Sequence, residues 1–351
     1  MTPLRVGIVG GGLAGALLGW RLRLSDRNAA VEIAAGPACG RDATAASGGM
    51  VRGYEPAPEQ RRLAIEALVE LRASRLLRSW AGYTEIGSRY LQPTPVDPVA
   101  LAELHQWLPG SAYACGQAYR QADRPPVYEV AERHAGYISP SDLRRAALDD
   151  FVRIGGRVVS GAVAGIHPEP DGTISWTIGD DRRRHDIVIV AAGPWTPRLL
   201  AAGALPAAGY RTKQIQYGVY HASGAPGRLT TIVDETTGLY GRPGPGGRML
   251  FGVPSDRYGV EPDRLHPDGA LERRAAELAV RAVPGLRLGP PAQVVVAADC
   301  YTSPPVLRLR LLSDDLPNLY TFTGGSGGAA KTSLAASRHA AHRLLELPVP
   351  A

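Results

Sequence analysis

The segment Arg5-Val6-Gly7-Ile8-Val9-Gly10-Gly11-Gly12-Leu13-Ala14-Gly15 constrains this chain more than any other. A short apolar run leads into G-x-G-x-x-G at Gly10, Gly12 and Gly15, and an Ala/Leu-rich stretch continues to about Leu24. The run predicts a buried strand and the stretch a helix. Between them the first glycine permits a tight turn and the second lets backbone approach a pyrophosphate. The third lets helix and strand pack closely, with the helix N-terminus aimed at the phosphates. A second strand reads over Ala30 to Ala35, where the crossover returns. The expectation is an α/β domain with a dinucleotide site.

Charge narrows the class of partner. The net charge is +6, yet the basic residues are spread along the chain, and the runs Arg61-Arg62 and Arg182-Arg183-Arg184 are short enough to read as solvated faces. No nucleic-acid partner is expected. Only Lys213 and Lys331 are lysines among 39 basic residues. Arginine binds anions well but does not give up its proton, so the two lysines are set apart. Cys39, Cys115 and Cys300 are too widely spaced for a disulfide framework or a metal cluster, which fits a reducing compartment and no metal site. No secretory leader precedes the first strand and no run of about eighteen apolar residues occurs. A cytoplasmic protein without a membrane partner is expected.

Further along, Ala43 to Arg52 is small and flexible, including Ser47, Gly48, Gly49 and Met50, as suits backbone lying against a flat ligand. Residues 58–80 carry apolar positions at helical spacing. From Gly82 to Arg133 short segments are broken by prolines, with one small helix over 101–108. Ser141 is read as the cap of a helix running to about Arg153. The continuously apolar Ile187 to Ala192 predicts a strand buried on both faces, stopped by Gly193-Pro194-Trp195. Alternation from Thr212 to His221, then strand-like runs at 229–233, 238–242, 249–253 and 293–297, predict antiparallel strands, interrupted by a helix over 269–283. Asn318 to Thr323 is a strand entering Gly324-Gly325-Ser326-Gly327-Gly328, and Ala329 to about Leu345 is the closing helix. A nucleotide-binding domain over 1–80, 136–206 and 300–351 is expected, with a cap over 81–135 and 207–299.

This order of motifs resembles the flavin-dependent amine and amino-acid oxidases, which include D-amino-acid oxidase, glycine oxidase and monomeric sarcosine oxidase. The residues that carry the likeness are Gly10 to Gly15, Ala192-Gly193-Pro194-Trp195, Tyr240-Gly241-Arg242-Pro243, and Asp299-Cys300-Tyr301-Thr302 with the Gly324 loop and Lys331. The last set looks closest to the sarcosine oxidase branch. The resemblance implies a Rossmann-type FAD-binding domain with a mostly antiparallel cap, and FAD as cofactor. It implies removal of a hydride from the carbon next to an amine in a small amino or N-substituted amino acid, with oxygen or another electron acceptor reoxidising the flavin. Gly10, Gly12, Leu13, Ala14, Gly15, Ser47, Gly48, Gly49, Met50, Ala192, Gly193, Trp195, Gly324, Gly325, Ser326, Gly327, Gly328 and Lys331 become candidate FAD contacts. The positive start of the closing helix suits negative charge developing on the flavin. Arg52 and Lys331 stand where that branch grips the substrate carboxylate, a guanidinium fork and an ammonium well suited to that work. Tyr240 matches a pocket tyrosine, and Tyr301 and Arg242 are secondary candidates.

Three positions depart from the pattern. Ala35 stands where an acid commonly binds ribose hydroxyls, and Glu32 comes three residues early. Relatives with covalent flavin attach it through a cysteine two residues before the tyrosine; here that position is Asp299 and Cys300 is displaced by one, so non-covalent FAD is expected. Leu250 stands where sarcosine-type enzymes carry an oxygen-activating lysine, with Arg248 as the nearest cation in sequence. Two other readings compete. A flavin hydroxylase usually carries Gly-Asp at the C-terminal flavin loop, which this chain lacks, and a nucleotide-binding protein without redox chemistry would take up no FAD.

Overall fold

The structure is a computed structural model that describes residues 3–36, 42–119, 126–224 and 229–346, for 115–119 the backbone alone. Cys39 and the side chain of Cys115 lie outside that description. The first strand, Arg5–Val9, lies between Ala30–Ala35 and Ile187–Val190, parallel to both. All four residues of Ile187–Val190 are buried, as a strand covered on both faces requires. Arg157–Ser160 and Leu319–Thr323 extend the sheet in parallel, and Arg308–Leu311 closes one edge in antiparallel. The first helix, Leu13–Ser25, and the closing helix, Ala329–Leu345, pack with Pro140–Arg153 on one face of this six-stranded sheet, where Leu17, Leu143 and Leu334 share one core. A three-stranded sheet lies on the other face, with Trp176 in its core.

A second, eight-stranded sheet draws on both stretches expected to form the cap. Ser88–Gln92, Ala112–Tyr119 and Val127–Glu132 come from one, and five strands between Arg211 and Tyr301 from the other. Its pairings are antiparallel except that of Ser88–Gln92 with Thr231–Asp234. The fold is therefore mixed α/β, a Rossmann-type sheet joined to a mostly antiparallel one. Helix Gly269–Ala282 covers the second sheet through Ala275 and Ala279.

Local chemistry moves several boundaries. The expected helix over 58–80 is two, Pro58–Ala73 and Arg75–Ala81, because Ser74 turns extended and its Oγ accepts from the Leu77 amide. The cap before Pro140–Arg153 is Ser139, not Ser141: its hydroxyl accepts from the Asp142 amide, and Pro140 takes the first helical position, where no amide hydrogen is needed. Arg61 is buried rather than solvated, donating to the Glu55 and Pro56 carbonyls and pairing with Glu103. The Arg182–Arg184 run lies on strand Asp181–His185 and is neutralised by Glu169, Asp171, Asp181 and Glu32. No helix among the described residues is long and apolar enough to cross a membrane.

Candidate active site

One cavity of about 1200 Å³ runs from the glycine fingerprint to the eight-stranded sheet. Its lining includes every residue singled out from the sequence as a site candidate except Gly15 and Arg242. Gly15 acts behind the wall: a Cβ there would sit 2.0 Å from the Gly10 carbonyl oxygen, so only glycine lets helix and strand meet. Gly10 itself has φ +121°, and a Cβ would lie 2.3 Å from the Ala191 carbonyl oxygen. Gly12 differs, since its Cβ would touch only Thr44 Oγ1 at 3.4 Å. The space it leaves belongs to the cavity.

Two helices open onto that space without side-chain caps, Leu13–Ser25 after Gly12 and Ala329–Leu345 after Gly328. Thr44 Oγ1 takes the Leu13 amide at 3.0 Å and is itself placed by Asp42, whose Oδ1 accepts from the Thr44 and Ala45 amides. The amides of Ala14 and Gly15 have no acceptor among the described residues. Free amides at a helix start, with the helix dipole behind them, form a seat for phosphate. In the tail loop Ser326 adopts φ +55°, a left-handed conformation that costs a non-glycine residue about 1 kcal/mol or more. The cavity thus fits FAD: a glycine floor, phosphate-seeking amides at one helix, and a second positive helix end further along.

The cations predicted for substrate binding do meet, but not alone. Arg52 and Lys331 both pair with one oxygen of Glu55, at 2.6 and 2.9 Å, and all three side chains are nearly buried. Arg52 also donates to the Tyr54 carbonyl and lies over the Tyr90 ring. Burial opposes ionisation of Glu55, but Arg52 and Lys331 outweigh it and hold the carboxyl below its usual range. Burial pulls the Lys331 ammonium down from its usual value, with Glu55 opposing and Arg52 adding to the shift. Behind them Glu132 accepts from the Gly53 and Tyr54 amides, and burial holds it towards its neutral form. Two cations against one ionised carboxylate leave a positive charge beside the cavity. Nothing in the sequence pattern marked Glu55, which reaches the pair only because a turn brings Arg52 and Glu55 onto the start of the closing helix.

The wall formed by the eight-stranded sheet carries the other lysine. Lys213 packs its ammonium 4.8 Å from the Tyr258 ring and 5.4 Å from that of Tyr301, and stands directly across the strand pair from Asp299. Tyr240 donates its hydroxyl to the Gln216 carbonyl at 2.8 Å, and burial raises its value. Burial pushes Tyr301 up to about 12 and the Cys300 thiol up to about 11, far from the thiolate that covalent attachment needs. Leu250 lies beside the Gly48 backbone, and its cross-strand neighbour Arg242 donates to the Gly48 carbonyl while stacking on Tyr137. The cation directly across the strands from Leu250 is therefore the half-buried Arg242, whereas Arg248 is exposed. Lys213 was marked in the sequence only by the scarcity of lysine, and Arg242 by its motif.

The model of the FAD dependent oxidoreductase family matches residues 5–343. The chain belongs to that family. FAD is its cofactor, and oxidoreduction its chemistry. Solved structures with the same fold include glycine oxidase from Geobacillus kaustophilus, at 18% identity and TM-score 0.74, covering 97% of this chain and 95% of that one. Iminodiacetate oxidase from Chelativorans sp. BNC1 is 18% identical with TM-score 0.72, covering 99% and 97%. L-proline dehydrogenase from P. horikoshii is 14% identical with TM-score 0.78, covering 99% and 95%. No curated protein matches the chain in sequence.

Proposed function

We propose that this flavoenzyme oxidises the carbon next to the nitrogen of a small amino or N-substituted amino acid. The observation that carries the reading is the Arg52–Glu55–Lys331 cluster, set on the cavity that the fingerprint glycines open. A substrate carboxylate entering there meets two cations whose side chains Glu55 has already oriented, so little ordering cost remains on binding. Tyr240 and Tyr301 line the same space and shape its polar wall. The structural relatives named for amino and imino acid substrates support the same class.

FAD, when bound, would supply the two-electron acceptor, and Gly10 to Ala14, Ser47 to Met50, Ala192 to Trp195 and Gly324 to Gly328 would hold it non-covalently. Arg52 and Lys331 fix the carboxylate end and so present the adjacent carbon. That carbon gives up a hydride, its nitrogen loses a proton, and the resulting imine is hydrolysed after release. The uncapped start of the closing helix would offset negative charge at the cofactor site. Leu250 in place of a lysine favours an electron acceptor other than oxygen, or slow reaction with it. The partition into a nucleotide-binding part over 1–80, 136–206 and 300–351, with the rest as cap, belongs to the same proposal.

The test is anaerobic mixing of the FAD-loaded enzyme with glycine, N-methylglycine, proline, iminodiacetate and a panel of D- and L-amino acids. Flavin bleaching by at least one of them is expected. A flavin that none of them reduces, while dithionite does, would remove the proposed substrate class and leave the family assignment standing.

A further inference from the structure

Asp299 is a buried carboxyl with no hydrogen-bond or ion-pair partner for its side chain among the described residues, and it lines the cofactor cavity. One of its oxygens lies 3.8 Å from the position a Cβ on Gly327 would take, and the Tyr301 hydroxyl lies 4.0 Å from the same position. Both groups therefore sit at the mouth of the closing helix, whose uncapped start is the positive end. Unpaired buried carboxyls are costly, and a strand position facing solvent or core would ordinarily be filled by something else. The groups around it are few. Its own strand offers Cys300 and Tyr301, the partner strand Lys213 and Tyr217, strand Tyr240–Pro243 its Tyr240, the loop beyond Tyr258, and the closing helix Lys331. Lys213 is spent on the rings of Tyr258 and Tyr301 and forms no ion pair with Asp299. Burial pushes Asp299 up to about 7.

We propose that Asp299 is a cofactor-tuning residue that takes up a proton when the bound flavin is reduced. An ionised Asp299 and a negatively charged reduced flavin would draw on the same positive helix end in one low-dielectric cavity. Like charges that close disfavour each other. The balance is simple: reduction adds two electrons and one proton to the flavin, and one further proton passes from solvent to the Asp299 carboxylate. Above neutral pH that uptake is needed, so reduction is harder; below it Asp299 is already protonated. The inference rests on the FAD site alone and is independent of the amine substrate.

The experiment measures the flavin midpoint potential of the FAD-loaded enzyme by equilibration with a reference dye from about pH 5.5 to about pH 9, for the unaltered protein and Asp299→Asn. The two curves should coincide at acid pH. At alkaline pH the Asn variant should lie higher, with the unaltered protein steeper by up to one extra proton per two electrons. Parallel curves over the whole range overturn the proposal. Reduced-minus-oxidised infrared spectra of the unaltered protein provide a second reading that does not depend on the variant holding FAD. A carboxylic-acid carbonyl band should appear on reduction above neutral pH, and its absence is equally fatal.

Discussion

The two ends of the cavity are built on opposite principles. At the fingerprint end the function lies in what is missing: Gly10, Gly12 and Gly15 carry no side chains, Ala35 carries no acid, and recognition falls to backbone amides and a helix dipole. At the other end the proposed function lies in charged side chains brought from far apart in sequence, Arg52, Glu55, Lys331, Lys213 and Asp299, nearly all of them buried. Gly10 and Gly15 tolerate no addition, and the ionic cluster no subtraction. That contrast sets how each end breaks.

The largest effect is expected at the steric end. In Gly15→Val, atoms would be forced onto the Gly10 carbonyl, at a cost of about 3 kcal/mol, and the purified protein should be colourless with a lowered Tm. Absorbance after FAD dialysis, with calorimetry, checks both; a yellow variant of unchanged Tm would show that helix and strand need not meet there. At the ionic end, Lys331→Met leaves Glu55 with one cation fewer in a buried setting, and a loss of about 3 kcal/mol is expected together with a fall in kcat/KM. Glu55→Gln should act differently, lowering Tm but tightening binding of simple carboxylate competitors, because both cations then face the cavity uncompensated.

Glu55 also fixes the acid limb of stability. Its folded value is lowered, so its contribution is complete above the ordinary carboxylate range and is lost as pH falls through and below that range. Melting the unaltered protein and Glu55→Gln between about pH 6 and about pH 3 should show the variant less sensitive to acid. Identical slopes would mean that the pair does not stay charged in the fold. Asp299 has the opposite sign: its folded value is raised, so its burden on stability grows as pH rises towards about 7.

Ala35→Glu sharpens the comparison by adding charge where the steric end has none. Ala35 lines the cavity at the end of the second strand, and a carboxylate there should bind ribose hydroxyls, tightening FAD by about 1.5 kcal/mol, roughly tenfold. Unchanged affinity by fluorescence titration would place the ribose elsewhere. The smallest effect is expected for Tyr240→Phe, which removes one hydrogen bond to the Gln216 carbonyl, worth about 1 kcal/mol; a Tm shift beyond a few degrees would give Tyr240 a larger role.

The same contrast explains what could be read without the structure. Glycine spacing, apolar periodicity and the run Ile187 to Val190 are local consequences of backbone geometry, so the four central strands of the six-stranded sheet and the closing helix were legible, as were the backbone segments that line the cavity, whereas the edge strand Arg308–Leu311 was not. Helix breaks at Ser74 and the cap at Ser139 depended on single side-chain hydrogen bonds that compete with neighbouring choices. The ionic cluster was half legible. Arg52 and Lys331 matched a known pattern, whereas Glu55 and Asp299 acquire their roles only through burial and through partners that the chain brings from elsewhere.

Carboxylate recognition by Arg52 and Lys331 is tested most directly by pairing each amino or imino acid that bleaches the flavin anaerobically with its own carboxamide. The acid should reduce the flavin and the amide, alike in every atom near the reacting carbon but uncharged, should do so at least about a hundredfold less efficiently, the value of one well-placed ionic contact of about 3 kcal/mol. Equal rates for acid and amide would contradict it.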